Sequence, residues 1–204
     1  MMSSRVSASI SLLVCGLGLV ALQAAGVSEQ QADAFTRKMA VVAQQGAGSL
    51  RGVAPGTRRT PFTESEVNSW FAYRGQEVLP NGVTEPQVTI VGNGKVRALA
   101  TVDLEALARR RATGRLLDPW SYLGGRVPVT LSGVLHTQNG VGRFELEDAA
   151  VSGVPIPKTL VQDMVSYYSR TADDPEGVSL DDTFRLPARI RQIEVGQGQA
   201  VVIQ

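Results

Sequence analysis

The sequence is poor in the residues that build metal sites and covalent cross-links. It contains one cysteine, Cys15, and one histidine, His136, among 204 residues. Transition-metal sites are built mainly from several cysteine and histidine ligands, and this chain does not supply such a set. If the segment that carries Cys15 is removed, the rest of the chain forms no disulfide and depends on apolar burial for stability. The sequence therefore predicts neither a metal site nor a cofactor.

The chain also lacks an excess of either charge. It has 20 basic and 19 acidic side chains, and a balanced surface argues against electrostatic capture of nucleic acid. Three consecutive arginines at positions 109–111, followed by Arg115, form the main basic cluster. We interpret this cluster as a solvated surface, with contact to an anionic lipid headgroup as the alternative.

The N-terminus combines a positive charge with a largely apolar stretch. Arg5 precedes residues 10–25, and small residues follow near Gly26. This pattern is typical of a secretory signal peptide over residues 1–26, and it predicts a periplasmic or extracytoplasmic location. The stretch approaches the roughly 20 apolar residues of a membrane span, so a retained helix is one alternative and lipid attachment at Cys15 is another. The remaining chain is long enough for one domain and short for two.

Residues 27–61 are predicted to form an amphipathic helix and a flexible connector. Ser28 and Gln31 have the spacing of a capping box, and apolar residues then recur at steps of three and four. Glycine, proline and arginine dominate the stretch that follows Gly46 and ends at Thr60, which is typical of a connector.

Residues 62–204 are predicted to form a single α+β domain. Its first helix follows a capping box of Thr63 and Glu66. Two β-hairpins come next, with type I′ turns at Asn93-Gly94 and Asn139-Gly140, and their strands alternate apolar and polar side chains. A further amphipathic helix and a final pair of strands complete the domain. Antiparallel hairpins with added helices define the α+β class.

Residues for catalysis are scarce. His136 lies on the polar face of a predicted strand, and no G-x-S-x-G elbow accompanies it. Glu145 and Glu147 lie two apart on the polar face of another strand, where carboxylates are usually solvating charges and not acid–base partners. The G-x-G runs at residues 92–94 and 196–198 join strands and do not open a helix, as phosphate binding requires. The sequence therefore predicts a protein without enzymatic activity, and a hydrolase that uses His136 is a minor alternative.

The predicted helices and hairpins each have an apolar face. One interpretation is an ordinary filled core. The other is a groove that receives an acyl chain, because ligand sites are concave and mainly apolar. The periodicity of the sequence does not distinguish the two. Gly133, on the apolar side of its strand, indicates a bend or the close approach of another group.

Several short motifs, taken in order, resemble those of LmeA-like phospholipid-binding envelope proteins. The motifs are FTESEVNSW at residues 62–70, VPV at 127–129, LSG at 131–133, VPIP at 154–157 and FRLP at 184–187. Such proteins belong to the tubular lipid-binding superfamily, in which a curved antiparallel sheet of hairpins wraps around a long amphipathic helix. Lipid occupies the apolar channel between sheet and helix. The resemblance therefore implies this fold, and lipid binding or transfer, for the present chain.

The resemblance also implies a set of apolar candidates for the lining of the lipid site. These are Val129, Leu131, Leu135, Phe144, Leu146, Leu160 and Met164. The chain departs from the family pattern by its helix before Gly46 and by the arginine-rich residues 109–115, both of which bear on what enters the groove.

Two hypotheses about function follow. The first is an exported envelope protein that binds or transfers a lipid or another amphiphile, with peripheral contact to a membrane. The second is a non-catalytic structural or adaptor protein of the envelope with a filled core.

Overall fold

The structure, a computed structural model, describes residues 26–48, 58–103, 125–170 and 175–204. Nearly all of the predicted signal peptide, the middle of the predicted connector and the basic cluster at 109–115 lie outside the described residues. The described chain forms three α-helices, a short 3₁₀ turn and two antiparallel sheets, which confirms the predicted α+β class. No helix among these residues is sufficiently long and apolar to cross a membrane.

Two of the three helices begin directly after the capping residues that the sequence predicts. The helices are α1 (Glu29–Gly46), α2 (Glu64–Tyr73) and α3 (Lys158–Ser169), and the 3₁₀ turn is Gln76–Val78. The backbone N–H of Gln31 donates to the Ser28 hydroxyl at 3.3 Å and so caps α1. Thr63 and Glu66 form a complete capping box at the start of α2, which confirms that prediction.

The strands form a small sheet and a large sheet. They are β1 (Arg59–Thr63), β2 (Val83–Gly92), β3 (Lys95–Asp103), β4 (Arg126–Gln138), β5 (Val141–Val151), β6 (Val154–Pro155), β7 (Thr183–Arg185), β8 (Gln192–Gly196) and β9 (Gln199–Ile203). The small sheet has the order β1-β9-β8, and the large sheet has the order β2-β3-β4-β5-β6, with β7 also paired to β5. Both Asn-Gly turns have positive φ at their two central residues, as type I′ turns require.

Strand β1 is a difference from the prediction, which placed its first residues in the connector. Thr60 and Phe62 are buried, whereas Arg59 and Pro61 are exposed. β1 is an edge strand that pairs with β9, and an edge position tolerates a proline, which has no N–H to donate. A five-residue alternation that contains proline is too weak a pattern to predict a strand.

The small sheet and α1 share one hydrophobic core. Val42, Phe62, Ile190 and Val202 are buried together in it. The side-chain amide of Gln204 donates to the carbonyl oxygens of Val42 and of Ala188, at 2.9 and 2.6 Å. The N-terminal helix therefore packs into the same core as the C-terminal strands.

Helix α2 buries polar side chains against α1. The Lys38 ammonium of α1 contacts the Glu66 carboxylate at 2.7 Å and donates to the carbonyl oxygen of Pro61 at 2.7 Å. Ser69 is fully buried, and its hydroxyl accepts a hydrogen bond from the backbone N–H of Ser28 at 3.1 Å. These contacts fix the packing of α1 on α2.

Helix α2 also covers the edge of the large sheet. The Asn68 amide accepts from the backbone N–H of Val88 at 2.7 Å and donates to its carbonyl oxygen at 2.8 Å. One turn earlier, the Glu64 carboxylate accepts from the backbone N–H of Ile90 at 2.7 Å. Side chains of α2 thus form hydrogen bonds with backbone groups of the edge strand β2 that would otherwise be free to pair with another strand.

Candidate functional site

The large sheet has one apolar face. Directly opposed residues of an antiparallel pair point to the same side of the sheet. The register therefore brings these side chains together: Val83, Val88, Ile90, Val96, Ala98, Ala100, Val102, Val127, Val129, Leu131, Leu135, Phe144, Leu146, Ala149 and Val151. We call this surface the apolar face.

The opposite face of the same sheet carries charge pairs. His136 and Arg143 are cross-strand partners, and each lies 3.4 Å from the Glu145 carboxylate. Glu147 contacts the ammonium of Lys95 on β3. The histidine and the carboxylates considered for catalysis thus lie on the exposed side of the sheet, where His136 pairs with Glu145 and the two carboxylates also pair with Arg143 and Lys95.

The candidate lining residues of β4 and β5 all lie on the apolar face. Leu131 faces the position of Ala149, and Leu135 faces Phe144 across the β4–β5 ladder. Leu160 and Met164 lie on α3. All of these candidates are half-buried, so none belongs to a fully closed core.

Helix α3 contacts the apolar face near one end. Met164 packs with Val83, Val127 and Val129 against buried Val102. Leu135 lies six residues along β4 from Val129, a distance of about 20 Å at roughly 3.3 Å per residue. The structure therefore brings Met164 and Val129 together, and places Leu135 well away from them along the same face.

Most of the apolar face is incompletely covered. Ile90, Val102 and Ala149 are buried on it, at 4, 6 and 8% exposure. The other large side chains of the face are half-buried, and Ala98 is exposed. Within the described residues, apolar side chains on several adjacent strands therefore keep access to solvent, which is uncommon for a filled core.

Gly133 marks a close approach on this face, as its position in the sequence predicts. A Cβ atom there would lie 2.3 Å from the carbonyl oxygen of Glu145 and 2.6 Å from the ring of Phe144. The β4–β5 register shifts at the same point, between Ser132 and Gly133. Since only glycine leaves this space free, the Phe144 ring can lie across β4.

A cavity of about 720 Å³ lies at the outer edge of β2. Its apolar lining includes Phe71 of α2, Leu79 and Val83, and its polar lining includes Asn81 and Glu85. Val83 also packs against Val102 of the apolar face. The cavity therefore adjoins the apolar face, and we call it the β2 cavity.

The β2 cavity coincides with an irregularity in the backbone. The β2–β3 register shifts between Thr84 and Gln87, and Glu85 between them has a φ of 52°. This site is not predicted by the sequence. Its available signals were Gly82 and Pro86, which flank the irregular residues and interrupt regular structure.

A second cavity, of about 550 Å³, lies near the other end of the apolar face. Its lining includes Leu135, His136, Arg143 and Ile193. Leu135 is the one candidate lining residue that borders it, and none of the candidates is among the described residues that line the β2 cavity. The predicted lining thus corresponds mainly to the open face between the two cavities, and only Leu135 of the set reaches one of them.

The sequence matches no model of a known protein family, and no similar curated protein is found. The physical features of the apolar face and of its two ends therefore carry the functional proposal.

Proposed function

We propose that the protein is an exported envelope protein that binds or transfers a lipid or another amphiphile on its apolar face. The observation that carries this proposal is a face of almost uniformly apolar side chains that remains only half-buried. Exposed apolar surfaces of this continuity usually mark sites for ligands, membranes or partners. Water contact with such a face is unfavourable by about 25 cal/mol for each Å², and an apolar ligand relieves that contact.

The dimensions of the face suit an acyl chain. From Val127 to Leu135 it extends over eight residues of β4, or about 26 Å. The hydrocarbon core of a bilayer, which contains two layers of acyl chains, is about 30 Å thick. A single extended acyl chain therefore fits along the strands.

Helix α3 supplies a second apolar surface for the ligand. Among the residues of α3 whose burial is described, Val161 is buried, and Leu160 and Met164 are half-buried beside it. In the proposed arrangement a ligand lies between α3 and the apolar face, as in the tubular lipid-binding fold that the motifs resemble. Contact between Met164 and the cluster around Val102 holds α3 beside one end of the apolar face, and the ligand would lie beyond this contact.

Export rests on the N-terminal pattern of residues 1–26. We expect the mature chain to begin near Val27 and to occur in the periplasmic or extracytoplasmic fraction. Intact-mass measurement of the protein from its own cells checks this. A mature mass that still includes residues 1–26, in a cytoplasmic fraction, would contradict export.

Lipid loading tests the function directly. Protein purified from its own envelope fraction is examined by native mass spectrometry, and its lipids are then extracted. We expect a bound amphiphile in the wild type and at least a tenfold lower loading in Leu131→Asp, because a carboxylate on the apolar face is costly to desolvate. The matched control is Thr130→Asp, which places the same charge on the other face of β4 and should load normally.

Two results would contradict the proposal. One is a wild-type protein that carries no amphiphile and takes none from vesicles of phosphatidylethanolamine and phosphatidylglycerol. The other is equal loading of Leu131→Asp and Thr130→Asp, with folding of both verified by circular dichroism. Either result would favour the structural or adaptor hypothesis.

A further inference from the structure

The β2 cavity has an unusual charge for a site that adjoins a lipid-binding face. Glu85 is the one ionisable side chain among its described lining residues, which include no lysine, arginine or histidine. Phosphate groups are normally held by basic side chains or by helix N-termini. An anionic headgroup in this cavity would instead meet an uncompensated carboxylate.

The orientation of α2 adds to this effect. Phe71 and Ala72 line the cavity, and both belong to the last turn of the helix. The C-terminus of a helix carries a partial negative charge from its free carbonyl groups. The helix end therefore does not offer the cavity the backbone N–H groups with which a helix N-terminus binds an anion.

Several polar side chains of the cavity are available to a ligand. Asn81 and Gln87 make no side-chain hydrogen bond within the part of the chain that the structure describes. The hydroxyl of Thr101 donates to one carboxylate oxygen of Glu85 at 3.2 Å. The described lining of the cavity thus offers amide and carboxylate oxygens as hydrogen-bond acceptors, and it contains no cationic side chain.

The backbone at Glu85 is held in a costly conformation. A left-handed φ is strained for a non-glycine residue, and here the next residue is Pro86. The resulting irregularity interrupts the β2–β3 ladder next to the cavity. Such strain is concentrated at binding sites in proteins.

We infer that the β2 cavity holds the headgroup of the bound amphiphile, and that this headgroup donates hydrogen bonds and carries no net negative charge. The inference rests on the proposed function. Val83 joins the cavity to the apolar face, so a headgroup in the cavity places its acyl chain on that face. A volume of about 720 Å³ falls within the roughly 300–1,000 Å³ of small-molecule sites.

Competitive loading from vesicles tests the headgroup inference. Three lipids, each with two hydrocarbon chains of the same length, are offered to the mature protein: a glucosyl diacylglycerol, a dialkylamine and phosphatidic acid. We expect the sugar lipid or the amine to load at least tenfold better than phosphatidic acid. The ratio of sugar-lipid loading to amine loading distinguishes a hydroxyl-rich headgroup from a cationic one.

Variants of Glu85 connect the preference to the cavity. Glu85→Lys should reverse the discrimination and favour phosphatidic acid. Glu85→Gln keeps hydrogen bonding and removes charge, so it should lower loading of the amine and leave loading of the sugar lipid nearly unchanged. Glu176→Lys, at an exposed position that is not among the described lining residues of either cavity, is the control and should leave the preference unchanged.

The outcomes separate this inference from the proposed function. Three results would overturn the headgroup inference while lipid binding stands. They are equal loading of all three lipids, a wild-type preference for phosphatidic acid, and a preference that both Glu85 variants leave unchanged. Failure of every lipid to load would overturn the proposed function itself. Circular dichroism of both Glu85 variants checks folding, and the wild-type preference alone decides the inference if Glu85→Lys does not fold.

Discussion

Replacement of Asn68 by alanine tests how α2 is joined to the large sheet. Asn68 lies in the interior of α2, where asparagine is a poor helix former and alanine is the best. From helix propensity alone, Asn68→Ala should stabilise the protein by about 0.5 kcal/mol. The structure predicts the opposite sign, since the side chain holds both backbone polar groups of Val88.

The expected magnitude follows from these two hydrogen bonds. Their lengths are 2.7 and 2.8 Å, and both are partly buried. Loss of a partner from a buried polar group costs about 1–3 kcal/mol, and partial access to water places each loss near the lower end of that range. Two losses of about 1–1.5 kcal/mol, less the propensity gain of about 0.5, give a net destabilisation of about 1.5–2.5 kcal/mol.

Urea denaturation measures this change. Trp70 lies two residues from Asn68 on α2, so tryptophan fluorescence is a suitable signal for following unfolding. We expect a lower midpoint with an unchanged m-value. Asn68→Asp keeps an acceptor for the Val88 N–H and should lose less of the hydrogen bonding, whereas Asn81→Ala, at an exposed position, should stay within about 0.5 kcal/mol of wild type. An Asn68→Ala variant as stable as wild type, or more stable, would refute the reasoning.

Three other substitutions have predictable effects on the free energy of unfolding. Lys38→Met should lower it by about 1–2 kcal/mol because it leaves a buried carboxylate of α2 without its cation, and Arg37→Met, at an exposed neighbour, should not. Gly133→Ala should lower it by about 2 kcal/mol or more, since its methyl group meets a carbonyl oxygen of β5. Gly196→Ala is its control, because a Cβ atom there makes only an ordinary contact. Val42→Ala should cost about 2 kcal/mol through lost burial in the core of α1 and the small sheet. Urea titration of each variant checks these values, and equal effects for a variant and its control would contradict the corresponding contact.

Much of the fold could be predicted because its signals are local. The capping box of Thr63 and Glu66 and the two Asn-Gly turns depend on residues only a few positions apart. Strand β1 could not be predicted in this way, because its pairing with β9 joins Arg59 to Ile203 across most of the chain. The role of Asn68 is similar, since its partner Val88 is twenty residues away.

The candidate site was predictable to a smaller extent. Alternation in β4 and β5 placed Leu131 and Leu146 on one side of a sheet, and the register agrees. The alternation of apolar and polar residues does not indicate how much of the apolar face is covered, because the same pattern describes a buried face and an exposed one. The β2 cavity depends on the meeting of the C-terminal end of α2 with an irregular segment of β2 around Glu85. Neither segment carries that information alone.

The separation of two apolar regions makes a half-covered sheet face compatible with a stable protein. Val42, Phe62, Ile190 and Val202 are buried between α1 and the small sheet, and this core does not include Leu131 or its neighbours on the apolar face. A ligand that binds only the folded state adds stability as RT ln(1 + [L]/Kd). The apolar face can therefore remain without a ligand while the other core maintains the fold, and a ligand bound as proposed would raise stability further. Damage to the core of α1 should lower the stability of the empty and loaded forms by similar amounts, whereas a charge on the apolar face should remove only the increment that the ligand adds.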